Sequence, residues 1–330
     1  MKAGLGHLFI TLILIGKLHS QDIHFSMFWE PLGHSNPSLI GNFDGDIKLM
    51  AQYRSQWSQF NTPLTSFYAD ATYKKMSEKN YMALGVSLIQ DQLSFLKYQQ
   101  HRVAISGSYQ NYFSKYLQAG IGAQVGTRLT SIDYNSLTWD RQWNPNSGQF
   151  QSSLPSGENF LVDNVYSPFF TLGLSANYKK KKILHTIDFS AMYVMRNSSK
   201  DFVFYNPFMM HANYHNYIPL GSKNTLMPKV GVIYTSAAHS INSGLLLKHN
   251  LTETKDIYGG IGYRWGVDRN ADALIPVLGM KINRIKLGVS YDFNTSGINQ
   301  EGLKNALEIC VQYVFKSPKN KYYSIDCMRL

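Results

Sequence analysis

RIKLGVSYDF, residues 284–293, sets Ile285, Leu287, Val289, Tyr291 and Phe293 at every second position and Lys286, Gly288, Ser290 and Asp292 between them. A period of two marks a β-strand with one apolar and one polar face. The split recurs at Leu307, Ile309, Val311, Tyr313 and Phe315 against Ala306, Glu308, Cys310 and Gln312, and at Ile187, Phe189, Ala191 and Tyr193 against Thr186, Asp188 and Ser190. Many such strands carry an aromatic near one end of the apolar face, as at Tyr73, Tyr178, Tyr193, Tyr234 and Trp265. A membrane barrel needs an interfacial girdle there, and a soluble sandwich does not.

Working outward, strands are expected to begin near Asp46, Leu64, Tyr81, Arg102, Leu117, Phe169, Ile183, Met209, Leu226, His239, Lys255, Asp272, Arg284 and Ala306, which makes fourteen. The fold class expected is all-β: a transmembrane antiparallel up-and-down barrel over residues 46–315. An even count puts both ends of the barrel on one side, with short turns there and longer loops opposite. Residues 114–115, 179–182 and 283–284 read as turns, and 131–165, 197–208 and 294–305 as loops. Residues 236–238 form a short connection on the loop side. The segment 131–165, rich in Ser, Asn, Gly and Pro and carrying Trp139 and Trp143, is far longer than a usual connection and reads as an outer lid.

The rest of the 330-residue chain agrees with this reading. Only 16% of residues are charged, against about 25% in soluble domains. Lys2 followed by LFITLILIG at 8–16 has the layout of a signal peptide over residues 1–20, with cleavage expected after Ser20. Beyond it no apolar run is long enough for a spanning helix. Residues 21–45 hold Pro31, Pro37 and the aromatics Phe25, Phe28 and Trp29, and are expected to plug or cap the barrel. Residues 316–330 form a basic periplasmic tail. The net charge is +11, but the cations are scattered, which argues against nucleic acid as a partner.

No catalytic, cofactor-binding or metal-ligating set emerges, and no cofactor is expected. His211 and His215 in HANYH share an inner strand face with Asn213, but they lack the Glu of HExxH and a nameable third ligand. Gly259, Gly260, Gly262 and Gly266 lack the GxGxxG spacing and read as strand glycines at close approaches. Asn42, Asp44 and Asp46 lack the twelve-residue calcium loop. No nucleophile elbow supports a hydrolase. Asp70, Arg102, Asp188, Arg264, Lys286, Asp292 and Glu308 all fall on the polar parity, and are expected to pair across a filled or narrow lumen. Cys310 and Cys327 either bridge or remain two thiols.

QDIHFSMFWEPLGHSNPSLIGNFDGD at 21–46, YRSQW at 53–57, Pro63, GYRW at 262–265, Asp272-Ala273 and GVSYDFNTS at 288–296 resemble the PorP/SprF family of type IX secretion proteins. The resemblance extends to the final strand at 306–315, and so covers nearly the whole chain after the leader. Trp29-Glu30-Pro31 stands where Asn-Pro or Asn-Xaa-Pro is more usual, and Asn36-Pro37-Ser38 replaces the commoner Asn-Pro-Ala. The resemblance implies an outer-membrane barrel of Bacteroidetes that works with type IX secretion. Its implied partners are membrane lipid, periplasmic machinery and a large adhesin-like cargo, some members being tied to gliding. It implies no enzymatic site. The other function class the sequence supports is a channel for small or hydrophobic solutes, gated by the lid and the amino-terminal segment.

Overall fold

Alternation that leaves one face apolar and the other polar forces a sheet to close on itself when the apolar side meets lipid, since an open edge would strand backbone N–H and C=O groups. The computed structural model describes residues 24–57, 63–94, 97–133, 137–157, 164–195, 208–235, 239–266, 273–295 and 305–316. Its strands are β1 (Ile47–Gln56), β2 (Leu64–Met76), β3 (Asn80–Leu93), β4 (Tyr98–Tyr112), β5 (Leu117–Ile132), β6 (Trp143–Asn144), β7 (Gln149–Phe150) and β8 (Asn164–Lys180). There follow β9 (Ile183–Val194), β10 (Phe208–Leu220), β11 (Asn224–Thr235), β12 (His239–Thr252), β13 (Lys255–Gly266), β14 (Ala273–Ile282), β15 (Ile285–Asn294) and β16 (Ala306–Phe315). All but β6 and β7 form one closed antiparallel barrel of fourteen strands in chain order. The seam joins β1 to β16, with Ile47 opposite Phe315 and Gln56 opposite Ala306.

The connections alternate as the even count requires. On the side of Ile47 and Phe315 the strands are joined by tight turns; Lys181 (φ +56°) and Asn283 (φ +54°) supply the left-handed backbone for two of them. The longer connections lie on the other side. Two strands begin earlier than the hydrophobic pattern indicates: the one read from Arg102 starts at Tyr98, and the one read from Phe169 starts at Asn164. The ladder continues there through Gln99, Gln100 and His101 and through Asn164 and Ser167, polar residues that alternation of hydrophobicity does not register. β8 reaches 17 residues, beyond the roughly 9–11 that cross a bilayer, so these strands project past the apolar band on the loop side. The long connector is correspondingly shorter than 131–165. Its described part, 137–157, holds the β6–β7 hairpin, where the Trp143 and Phe150 rings meet edge to face at 5.0 Å.

The two faces separate cleanly. Ile105, Ile121 and Leu278 are 61%, 60% and 66% exposed, a degree of apolar exposure that only a lipid environment accommodates over so broad a band. Tyr73, Tyr178, Tyr193, Tyr234 and Trp265 stand outward with them. Inside, Arg54, Asp188, Asp292 and Glu308 are buried. The inner face is not uniformly polar: Ala104, Phe169, Met192, Val194, Met209 and Ile233 form an apolar cluster within it, toward the loop side. Among the described residues no helix is long and apolar enough to cross a membrane.

Candidate functional site

Residues 24–45 run inside the barrel. They hold only a four-residue helix, α1 (Leu32–Ser35), and a single 3-10 turn (Pro37–Leu39). A segment this short cannot make its own core, so its order comes from the wall. Phe25, Met27, Phe28 and Trp29 pack into one cluster with Met50, Tyr68, Met227, Leu246, Tyr258 and Cys310 of the strands.

Asn36-Pro37-Ser38 forms the first anchor. The Asn36 amide nitrogen donates toward Leu174 O, Phe189 O and Asp188 Oδ1, each at 3.1 Å. Its Oδ1 accepts from the Ser38 N–H at 2.9 Å and the Ser38 hydroxyl at 2.8 Å, capping the 3-10 turn in the manner of a helix N-cap. Gln110 Nε2 donates to Ser38 O at 2.7 Å, and the Ser190 hydroxyl donates to Ser35 O. The approach needs bare backbone in the wall. A Cβ on Gly122 would overlap the Pro37 carbonyl and Ser38 N, and one on Gly173 would overlap the Asn36 amide. A Cβ on Gly231 would likewise overlap the Phe28 ring, and one on Gly244 would press closely on Trp29.

The second anchor is ionic. Arg54 lies 2.8 Å from Asp292 and 3.1 Å from Glu308, and Arg264 lies 3.0 Å from Asp292. The Ser26 and Met27 backbone N–H groups each donate to Glu308 at 2.8 Å. The Ser26 hydroxyl donates to Asp292 at 2.8 Å and accepts from both arginines. The segment thereby completes a charge cluster that burial would otherwise leave short of partners. Lys286 pairs with Glu30 at 2.8 Å and Lys48 with Asp70 at 3.2 Å. At the exit, Lys74 donates to Phe43 O with its ammonium 4.6 Å over the Phe43 ring, and Lys316 pairs with Asp44 at 3.2 Å.

The seven charged residues expected to pair across the lumen are thus brought together differently. Arg264, Asp292 and Glu308 share one patch of wall, Asp70 meets its neighbour strand, and Lys286 meets the inner segment. Asp188 is held by the amides of Asn36 and Asn213. Arg102 lies 5.9 Å over the Phe169 ring. Space decides this, because the inner segment occupies the axis that crossing pairs would need. Arg54 and Lys48 are central to these contacts, and Glu30 occupies a position where the family motif commonly differs; their spacing along the chain carries no signal of it. His211 and His215 do face inward; the His211 ring lies 6.1 Å from His34, and that of His215 lies 6.0 Å from Phe28. No group of three His, Cys, Asp or Glu is placed to hold a metal among the described residues. Cys310 is a buried free thiol, while Cys327 lies outside the described residues, as do the signal peptide expected at 1–20 and the tail at 317–330.

On the turn side of the segment a cavity of about 550 Å³ remains, lined by Trp29, His215, Tyr217, Met227, Lys229 and Tyr258 and rimmed by Lys281, Arg284 and Lys316.

An inward-folded segment at residues 24–45, seated by an Asn-Pro-Ser turn in a fourteen-stranded barrel, is accompanied by a match over residues 18–313 to the family described as "Type IX secretion system membrane protein PorP/SprF". The chain belongs to that family. It is an outer-membrane β-barrel. No curated protein matches the chain. Among solved structures, a Pseudomonas aeruginosa FadL homologue is similar at a TM-score of 0.51 and 9% identity, with 86% of this chain and 94% of that one covered. The Ralstonia pickettii toluene transporter TbuX gives 0.52 and 9%, covering 86% and 93%. The CymD monoaromatic hydrocarbon channel gives 0.52 and 12%, covering 89% and 94%. At such identities the likeness is one of fold. In this PorP/SprF protein the Asn36-Pro37-Ser38 motif and Arg54 acquire a physical meaning: they seat the amino-terminal segment in the wall, while Tyr53 faces outward.

Proposed function

We propose that this PorP/SprF protein is a non-enzymatic component of type IX secretion that assists delivery or surface display of a large adhesin-like protein and docks periplasmic machinery. The observation that carries this reading is the family match over 18–313. The internal segment adds a physical reason, since an interior occupied by residues 24–45 and their ion pairs suits an assembly component better than a standing pore. Both barrel ends lie on the tight-turn side, which is periplasmic in such barrels. The basic tail of Lys316, Lys319, Lys321 and Arg329 is then offered to periplasmic partners, and the connector between β5 and β8 is offered to emerging cargo. Deleting the gene is expected to leave nutrient uptake intact while stripping a specific large protein from the surface proteome. An unchanged surface proteome would refute the reading. A chain ending at Phe315 is expected to insert but to lose co-purifying periplasmic partners, whereas removing the connector spares docking and impairs display.

The solute-channel reading draws on the names of the solved neighbours, a transporter and a hydrocarbon channel. Planar-bilayer conductance separates the two: steady solute-dependent current through the intact protein favours the channel.

A further inference from the structure

The turn-side cavity is lined by six cations, Lys229, Lys248, Lys281, Arg284, Lys286 and Lys316, against three carboxylates, Glu30, Asp44 and Asp256. Lys229 is 4% exposed, and its ammonium has the Tyr217 hydroxyl at 3.1 Å and the Tyr217 and Trp29 rings at 4.8 and 5.9 Å. The carboxylates of the inner segment are committed elsewhere: Glu30 to Lys286 and Asp44 to Lys316. Two further polar groups of the lining, Trp29 Nε1 and His215 Nε2, are buried with no hydrogen-bond partner. Burying an ammonium whose one acceptor is a neutral hydroxyl, beside two unpartnered ring nitrogens, is unfavourable unless something supplies further partners. Toward the rim, Lys248, Lys281 and Arg284 face one further carboxylate, Asp256. Met227, Leu246 and Tyr258 form an apolar wall beside them.

We propose that this cavity receives an acidic peptide segment of a periplasmic protein, a carboxylate being taken by Lys229 and an adjacent apolar side chain lying on Met227, Leu246 and Tyr258. The proposal rests on the periplasmic-docking reading for the source of the peptide. A volume of about 550 Å³ is in the range of small-ligand pockets, about 300–1,000 Å³, and so fits the end of a chain rather than a folded module. Each strand around the cavity is hydrogen-bonded to the next, which walls it from the bilayer. Its rim residues Lys281, Asn283, Arg284 and Lys316 stand at the aqueous turn side. Entry is therefore from water, as an acidic peptide would come, and the rim cations accelerate its encounter.

The test uses the full-length protein in nanodiscs, titrated with a fluorescein-labelled peptide of alternating glutamate and leucine with a free carboxyl end. Its counterpart carries glutamine in place of glutamate and an amidated end. The acidic peptide is expected to bind, and the neutral one to bind at least about tenfold more weakly. Lys229→Met is expected to lower affinity for the acidic peptide about tenfold or more, with heat-modifiable gel migration checking that the barrel is intact. Should Lys229→Met not insert, Lys281→Glu combined with Arg284→Glu at the exposed rim lowers affinity through the encounter rate instead. Equal binding of the two peptides, or affinity unmoved by whichever of these variants inserts, overturns the proposal. So does displacement of the peptide by an equal concentration of decanoate, which would assign the cavity to a lipid. Peptide binding is read in vitro and surface display in cells, so either result can fail while the other stands.

Discussion

Val289 and Ser290 are adjacent in the chain and meet different surroundings, the one 39% exposed on the apolar band and the other 2% exposed against the inner segment. Val289→Arg, near the middle of β15, is expected to cost roughly 2–4 kcal/mol if it lies at the bilayer midplane, read as a shift in urea-dependent folding into liposomes. Polarity alone would have Ser290→Arg tolerated. Ser290 stands opposite Glu308 in the ladder, beside the filled interior, so an arginine there overpacks the wall and is expected to cost about 1–3 kcal/mol in the same titration. Arg54→Met leaves Asp292 and Glu308 buried with one arginine between them. A loss of about 3–5 kcal/mol is expected, with part of it recovered in the Arg54→Met, Glu308→Gln double variant, since the second change removes the orphaned charge.

Among the elements, the strands are legible in the sequence because lipid and a polar interior impose opposite demands on alternate residues, and Leu287, Ser290, Ile309 and Asp188 each fall on the face their parity predicts. Strand ends are less legible: Tyr98 and Asn164 open their strands where both faces are wet or polar, and alternation has nothing to distinguish. The inner segment is legible only as something other than a strand. Its seat depends on Gly122 and Gly173, whose meaning in sequence is slight, and on Gln110 and Asp188, far from Asn36 along the chain. Gly173→Leu puts a side chain where the Asn36 amide lies, without touching the outward face of β8. It is expected to unseat residues 24–45, seen as faster amide hydrogen exchange there, with the strand amides remaining protected. Equal protection in both would mean that the anchor is dispensable.

For the whole molecule, the segment and the barrel are interdependent. Excising residues 24–45 is expected to yield a barrel that still inserts, through its intact apolar band, but passes ions in planar bilayers that the intact protein does not. The buried cluster of Arg54, Arg264, Asp292 and Glu308 would then be hydrated, and the variant is expected to unfold at lower urea. The turn-side cavity is not legible in the sequence at all, because Trp29, His215, Lys229 and Tyr258 come from four separate elements and only closure gathers them. The contact between Glu308 and the N–H of Ser26 spans 282 residues. β16, which closes the barrel, grips Ser26 near the start of the inner segment, and the same strand makes the seam with β1. Contacts of such sequence separation form late and slowly, so closing the seam and seating the segment belong to one step. Any factor that folds this chain must therefore hold the cylinder open beside β1 until Glu308 arrives, and a chain broken before β16 keeps the Asn36 anchor but lacks the grip on Ser26 and Met27.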